Sequence, residues 1–192
     1  MVADPLAVAL RVAAVFEALD VAYALGGSLA SSLHGETRAT MDVDFVADLR
    51  EPLVTGFVTA LGSDFYADAD AIRSAVRGRR HFNVIFLPAL FKADVFVATT
   101  SELDQDELER RQQVVVSTEP RRSLWVASPE DVVLQKLSWF RQGEGVSDRQ
   151  WRDVLGVLRV QAGRLDRGYL ESRARRAGLT ALLEKALGEA GA

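Results

Sequence analysis

Cysteine is absent from this 192-residue chain, which rules out disulfides, thiolate zinc sites and cysteine nucleophiles together. Histidine is nearly absent too. His34 and His81 are the only two, they share no metal-ligand spacing, and both read as structural. Excess basic charge is also missing: the net charge is −4 and the pI is near 5.3, so the molecule as a whole does not draw in nucleic acid by bulk charge. No apolar run is long enough to cross a bilayer. The stretch from Asp4 to Leu19 has helical apolar spacing interrupted by Asp4, Arg11 and Glu17, and it has no basic leader. A soluble cytoplasmic protein with no membrane partner is therefore expected.

What is present is a balanced globular composition, 48% hydrophobic and 26% charged. A chain of this length buries roughly 70% of the surface its unfolded form exposes, so its core can carry the fold without a disulfide or structural metal. Arginines cluster at Arg77/Arg79/Arg80, Arg121/Arg122, Arg149/Arg152 and Arg173/Arg175/Arg176. They read as solvated surface charge, or as a local basic face if the fold gathers them.

Asp4-Pro5 supplies a cap and an N1 proline for an opening helix that runs to Leu19. Val21 to Leu25 reads as a short buried strand. Gly26-Gly27-Ser28 breaks it, with Ser28 as a candidate cap for a helix from Leu29 to Leu33. Met41 to Ala47 reads as a strand and Pro52 to Leu61 as a helix, whereas Gly62 to Arg80 has no clear period. His81 to Leu87 and Lys92 to Ala98 read as a hairpin, and Val114 to Ser117 and Leu124 to Ala127 as short edge strands. Beyond Ser128 the pattern is helical. Ser128-Pro129-Glu130-Asp131 caps one helix that Gly143 or Gly145 ends, Ser147 to Gln150 opens a second, and Asp166 and Thr180 begin two more. The plan is an α/β (α+β) first half, 1–127, followed by a helical region, 128–192.

Side chains alternate along a strand, so Asp42 and Asp44 are expected on one face. At an effective dielectric of about 20 and a spacing of roughly 5 Å, two carboxylates repel by about 3 kcal/mol, which calls for a cation or a proton between them. Such hard oxygen donors suit Mg²⁺ better than zinc. Asp94 is a third acid, set in an otherwise apolar strand, and three acids on neighbouring strands can hold two metal ions. Gly26-Gly27-Ser28, between a strand and a helix N-terminus, is suited to a phosphate, although a plain glycine turn with a capping serine would look the same. Arg38 is open to a phosphate contact or to a salt bridge with the Asp pair. Lys136, one of very few lysines, can reach a triphosphate or pair with Asp153, itself read as a satisfied structural acid.

The order Gly-Gly-Ser, Arg38-x-Thr40-x-Asp42-x-Asp44 and a later strand Asp resembles the polymerase-beta-like nucleotidyltransferases. Within them, Gly26-Gly27-Ser28-Leu29-Ala30 with Arg38 to Asp44 is similar to the abortive-infection-type nucleotidyltransferase toxins of type IV toxin-antitoxin systems and their relatives. The resemblance extends over most of the chain, including Ser128 to Asp131, Lys136 and the Asp153 helix. It implies a nucleotidyltransferase-like mixed sheet flanked by helices with a C-terminal helical bundle. It further implies transfer of a nucleoside monophosphate from an NTP to an acceptor hydroxyl, with two Mg²⁺ ions. Asp42, Asp44 and Asp94 would be the catalytic metal ligands, and Gly26, Gly27, Ser28, Arg38, Thr40 and Lys136 the nucleotide-binding set. A tRNA acceptor and a cognate antitoxin protein are the partners it implies. Two other readings share the motif: a catalytically silent nucleotide- or partner-binding protein, and an antibiotic-modifying enzyme acting on a small molecule.

Overall fold

The computed structural model describes residues 4–143 and 146–192. They form two compact units, one made of the chain up to Leu29 with Thr40–Val126, the other of Ala30–Ala39 with Ala127–Ala192. The segment Ala30–Ala39 thus groups with the C-terminal helices, although by sequence it sits among the strands of the first half. None of the described helices is long and apolar enough to cross a membrane.

The first unit is built on one mixed sheet. Its strands are β1 (Tyr23–Leu25), β2 (Val43–Ala47), β3 (Phe65–Tyr66), β4 (His81–Phe86), β5 (Phe91–Val97), β6 (Gln112–Thr118) and β7 (Arg121–Val126), in the spatial order β3-β4-β5-β2-β1-β7-β6. The expected β4/β5 hairpin is present and antiparallel. β2 runs parallel to β5 and antiparallel to β1. β7 is internal rather than an edge strand, because β1 pairs with it in parallel.

Period-two patterning decides which side of this sheet is dry. Phe82 and Val84 on β4, and Phe91, Ala93, Val95 and Val97 on β5, are buried, while the alternate positions His81, Asn83 and Lys92 are exposed. Helix α1 (Pro5–Ala18) covers the apolar side. Asp4 caps it, accepting from the Leu6 amide at 2.9 Å, and Val8, Val12 and Phe16 face inward. Phe16 is the hub of an aromatic cluster, with ring centroids 5.5 Å from Tyr23, 5.6 Å from Phe45 and 5.2 Å from Phe57 of α3 (Val54–Leu61). The stretch without a readable period, Gly62 to Arg80, holds β3 and α4 (Ala69–Arg77), the latter capped by Asp68. A further helix, α5 (Glu102–Glu109), follows β5.

Helix α2 (Gly27–His34) starts at Gly27, so Ser28 lies inside its first turn rather than capping it. In the second unit, α6 (Pro129–Gln142), α7 (Asp148–Val160), α8 (Arg167–Arg176) and α9 (Thr180–Ala190) pack around Val133, Leu134, Leu137, Val154, Val157, Leu158, Leu170 and Leu183. Ser128, Ser147 and Asp166 cap the first three. Of the two glycines expected to end α6, Gly143 is the C-cap and Gly145 lies outside the described residues. Gly35 joins this unit by backbone approach: a Cβ there would stand 2.7 Å from the Val157 amide nitrogen on α7.

Candidate active site

β2 and β5 bring two of the sequence-selected acids together. Their parallel register places Asp44 directly beside Asp94, and neighbouring strands lie roughly 5 Å apart. Both are half-buried, with the Asp94 side chain 15% exposed. Asp42 is different. β2 begins at Val43, so Asp42 sits exposed in the segment leading into the strand instead of on the strand itself. Thr40 orders that approach: its hydroxyl accepts from the Asp42 amide at 3.3 Å and donates to the Asp42 carbonyl at 3.4 Å.

Gly27 meets Asp44 closely. It has φ +59°, and a Cβ added there would lie 1.9 Å from Asp44 Oδ2. Only glycine fits both the left-handed backbone and this approach. Gly26 donates its amide to the Asp44 carbonyl at 2.8 Å, which ties the turn to β2. On its other side a Cβ would stand 2.9 Å from Oε1 of Glu107, a buried acid of α5. The Gly26-Gly27 turn, Ser28 and the Asp44/Asp94 pair are thus neighbours within one unit.

Sequence reasoning missed Lys92. Its ammonium donates to Asp94 Oδ2 at 2.7 Å. That hydrogen bond, with the charges of Asp94, Asp42 and Asp44 and against the opposing effect of burial, holds the Lys92 ammonium above the usual lysine range. The signal was available, because Lys92 stands two positions before Asp94 in a strand and therefore on the same face. Glu107 was missed as well. Nothing local marks it, since five of the eight α5 residues are acidic and the turn it approaches, at Gly26, is distant in sequence.

Arg38 and Lys136 belong to the second unit, where both engage Asp153. Arg38 makes a two-pronged contact, Nε to Oδ1 at 2.6 Å and Nη2 to Oδ2 at 2.7 Å. Lys136, fully buried, donates to Asp153 Oδ2 at 2.7 Å and to Gln150 Oε1 at 2.9 Å. Burial pushes the Asp153 carboxyl up, but the hydrogen bonds and charges of Arg38 and Lys136 outweigh it and hold it below the usual range. Lys136 makes the ion pair with Asp153 that the sequence allows, and Arg38 pairs with the same acid. His34 is structural, with its buried ring hydrogen-bonded through Nε2 to the Ala127 carbonyl at 2.8 Å.

The donor set beside Gly27 is oxygen-only, and the chain already places a cation against it in the form of the Lys92 ammonium. Both facts fit a hard divalent ion held by Asp44 and Asp94. Among the described residues, however, no group of three or more His, Cys, Asp or Glu side chains converges on one point, in keeping with the position of Asp42 outside β2.

No protein-family model and no curated protein matches the sequence. Solved structures do match in fold. An antigenic nucleotidyltransferase-like protein from Paracoccidioides brasiliensis is similar at a TM-score of 0.57 and 18% identity, over 96% of this chain and 92% of that one. The antibiotic-resistance factor ANT(2'')-Ia is similar at a TM-score of 0.55 and 15% identity, over 97% of this chain and 100% of that one. The chain therefore has the nucleotidyltransferase-like fold, a mixed sheet flanked by helices and followed by a helical region.

Proposed function

We propose that this protein is a Mg²⁺-dependent nucleotidyltransferase that moves a nucleoside monophosphate from an NTP to an acceptor hydroxyl. The observation that carries this reading is the register of β2 on β5, which sets Asp44 beside Asp94 next to the Gly26-Gly27 turn. Asp44 and Asp94, with Asp42 at the entrance to β2, are the residues that would hold the metal. Bound Mg²⁺ would supply charge to neutralise the phosphates of the NTP.

The chain's own part is mainly positioning. The amides at the start of α2, around Gly27 and Ser28, face the N-terminal end of a helix dipole and suit the outer phosphates. Thr40 fixes the backbone that carries Asp42. Arg38 and Lys136, the remaining members of the nucleotide set, are held on Asp153 within their own unit. In the reaction the acceptor oxygen bonds to the α-phosphorus. The bond from that phosphorus to its bridging oxygen breaks, pyrophosphate leaves with the electron pair, and the acceptor proton passes to a carboxylate or to water.

Two acceptor classes have specific support. The motif Gly26 to Ala30 with Arg38 to Asp44 supports a tRNA acceptor and a toxin-like role with a cognate antitoxin. The full-length likeness to an antibiotic-resistance factor, together with the acidic balance of the chain, supports a small cationic acceptor. The test is incubation with each α-labelled NTP and Mg²⁺ in the presence of tRNA or an aminoglycoside, beside thermal melts with the same nucleotides. Label on either acceptor is expected, and its location names the acceptor. Mg²⁺-dependent stabilisation by an NTP with no label on any acceptor would overturn the enzyme reading in favour of a silent binding protein.

A further inference from the structure

We propose that Lys92 is a built-in counter-ion of the metal site, an ammonium seated on Asp94 that an incoming divalent cation must displace. The proposal rests on the metal-site reading above and adds a residue to it that the motif does not contain.

Two observations carry it. Lys92 and Asp94 share a face of β5, and Nζ lies 2.7 Å from Asp94 Oδ2. Asp94 is in turn beside Asp44 in the sheet register. A cation seated on one of two neighbouring carboxylates occupies the electrostatic position a metal ion would take.

The residue type also matters. The chain uses three lysines against twenty arginines, and one of the three stands here. An arginine would clamp a carboxylate with a rigid two-pronged fork, whereas a lysine offers a single point charge on a flexible four-carbon stem. The Lys92 side chain is 47% exposed. An ion pair this open to water is weakly held, so the ammonium can swing out when a divalent ion arrives. Lys92 thereby relieves the repulsion between Asp44 and Asp94 in the metal-free protein, and it lowers the affinity of the site for metal. It is a positioning residue for Asp94, not a group that touches the reacting atoms.

The experiment is titration of the full chain with Mn²⁺, with the free ion followed by electron paramagnetic resonance. Lys92→Met is expected to bind Mn²⁺ about tenfold more tightly than wild type, because the competing charge is gone. Lys92→Arg, which keeps the charge, should stay well below Lys92→Met in affinity. Lys92→Gln serves as a second uncharged variant should the methionine form fold poorly by circular dichroism. Lys185→Met removes a charge elsewhere and should leave the affinity unchanged; equal tightening there would overturn the proposal as a general charge effect. Equal Mn²⁺ affinity in wild type and the uncharged variants, with binding lost in Asp44→Ala, would overturn the role of Lys92 and leave the metal site standing. Absence of any Asp44-dependent Mn²⁺ binding would overturn the metal site and the role of Lys92 with it.

Discussion

Gly27 and Asp44 meet so closely that no methyl group fits between them, because a Cβ on Gly27 would stand 1.9 Å from Asp44 Oδ2 and 2.6 Å from its Cγ. This contact couples the glycine turn to the carboxylate that the proposed chemistry depends on.

Gly27→Ala should therefore be costly for two separable reasons. The left-handed backbone penalises any Cβ by about 1–2 kcal/mol, and the clash with Asp44 adds a further overpacking cost of about 1–3 kcal/mol. In an Asp44→Ala background the contacts with Oδ2 and Cγ are gone while the residue-44 Cβ, 2.8 Å from the added Cβ, remains, so the cost should fall but stay above the backbone penalty alone. Urea denaturation of the two single variants and the double variant measures this coupling. An equal cost of Gly27→Ala in both backgrounds would contradict the contact.

Gly26→Ala should be milder. Gly26 has no left-handed φ, and the atom its Cβ would meet is the end of the Glu107 side chain, at 2.9 Å. A shift of that carboxylate by a few tenths of an ångström restores the fit. The ranking expected from melts is wild type, then Gly26→Ala, then Gly27→Ala in falling stability, and a reversal would contradict it.

The network of Asp153 with Arg38 and Lys136 should show the asymmetry of buried ion pairs. Asp153→Ala leaves the buried Lys136 ammonium without its acid and should cost about 3–5 kcal/mol. Lys136→Met removes the buried charge itself and leaves Asp153 its contact with Arg38, so it should cost clearly less. Because the Asp153 carboxyl is held low in the folded chain, its contribution is full above the usual Asp range, roughly pH 4. It is lost as pH falls from there through the lowered folded value. Urea melts of the two variants at neutral pH, and of wild type from pH 5 to pH 3, check both statements.

His34 governs a separate pH window. Burial lowers its affinity for a proton, against the opposing hydrogen bond to Ala127 and the charge of Glu130, so the fold keeps it neutral. The unfolded chain takes up that proton near pH 6.5, so stability should be level above this value and should decline below it. One such group contributes at most about 1.4 kcal/mol per pH unit. Comparing urea melts at pH 7.5 and pH 5.5, His34→Gln should lose less stability than wild type over the interval, and an equal loss would contradict the assignment.

The parts of the fold that could be read in the sequence are those whose cause is local. Ser128-Pro129, Ser147 and Asp4-Pro5 announce their helices because a cap acts within three residues. The β4/β5 hairpin follows from alternation on either side of a short turn. Helix α5 was missed because five of its eight residues are acidic, which leaves no apolar stripe to detect, although Asp106 and Glu107 are buried in the structure. α4 was missed for want of a long period, despite a sound cap at Asp68.

At the site, strand alternation placed Asp44 and Asp94 on strands but could not say that β2 and β5 are neighbours in register. It also ran β2 two residues too far, and so put Asp42 on the strand. The partner of Arg38 lies 115 residues away and has no local trace.

Asp44 is the residue on which the proposed activity most depends, and single-turnover transfer from an α-labelled NTP, in Mg²⁺, by wild type and Asp44→Ala tests it most directly. The account expects label on the acceptor with wild type and at least a hundredfold less, on the order of 3 kcal/mol in the barrier, with the variant, whose circular dichroism should match that of wild type. Undiminished transfer by a folded Asp44→Ala protein, or none by wild type with any NTP and acceptor, would contradict it.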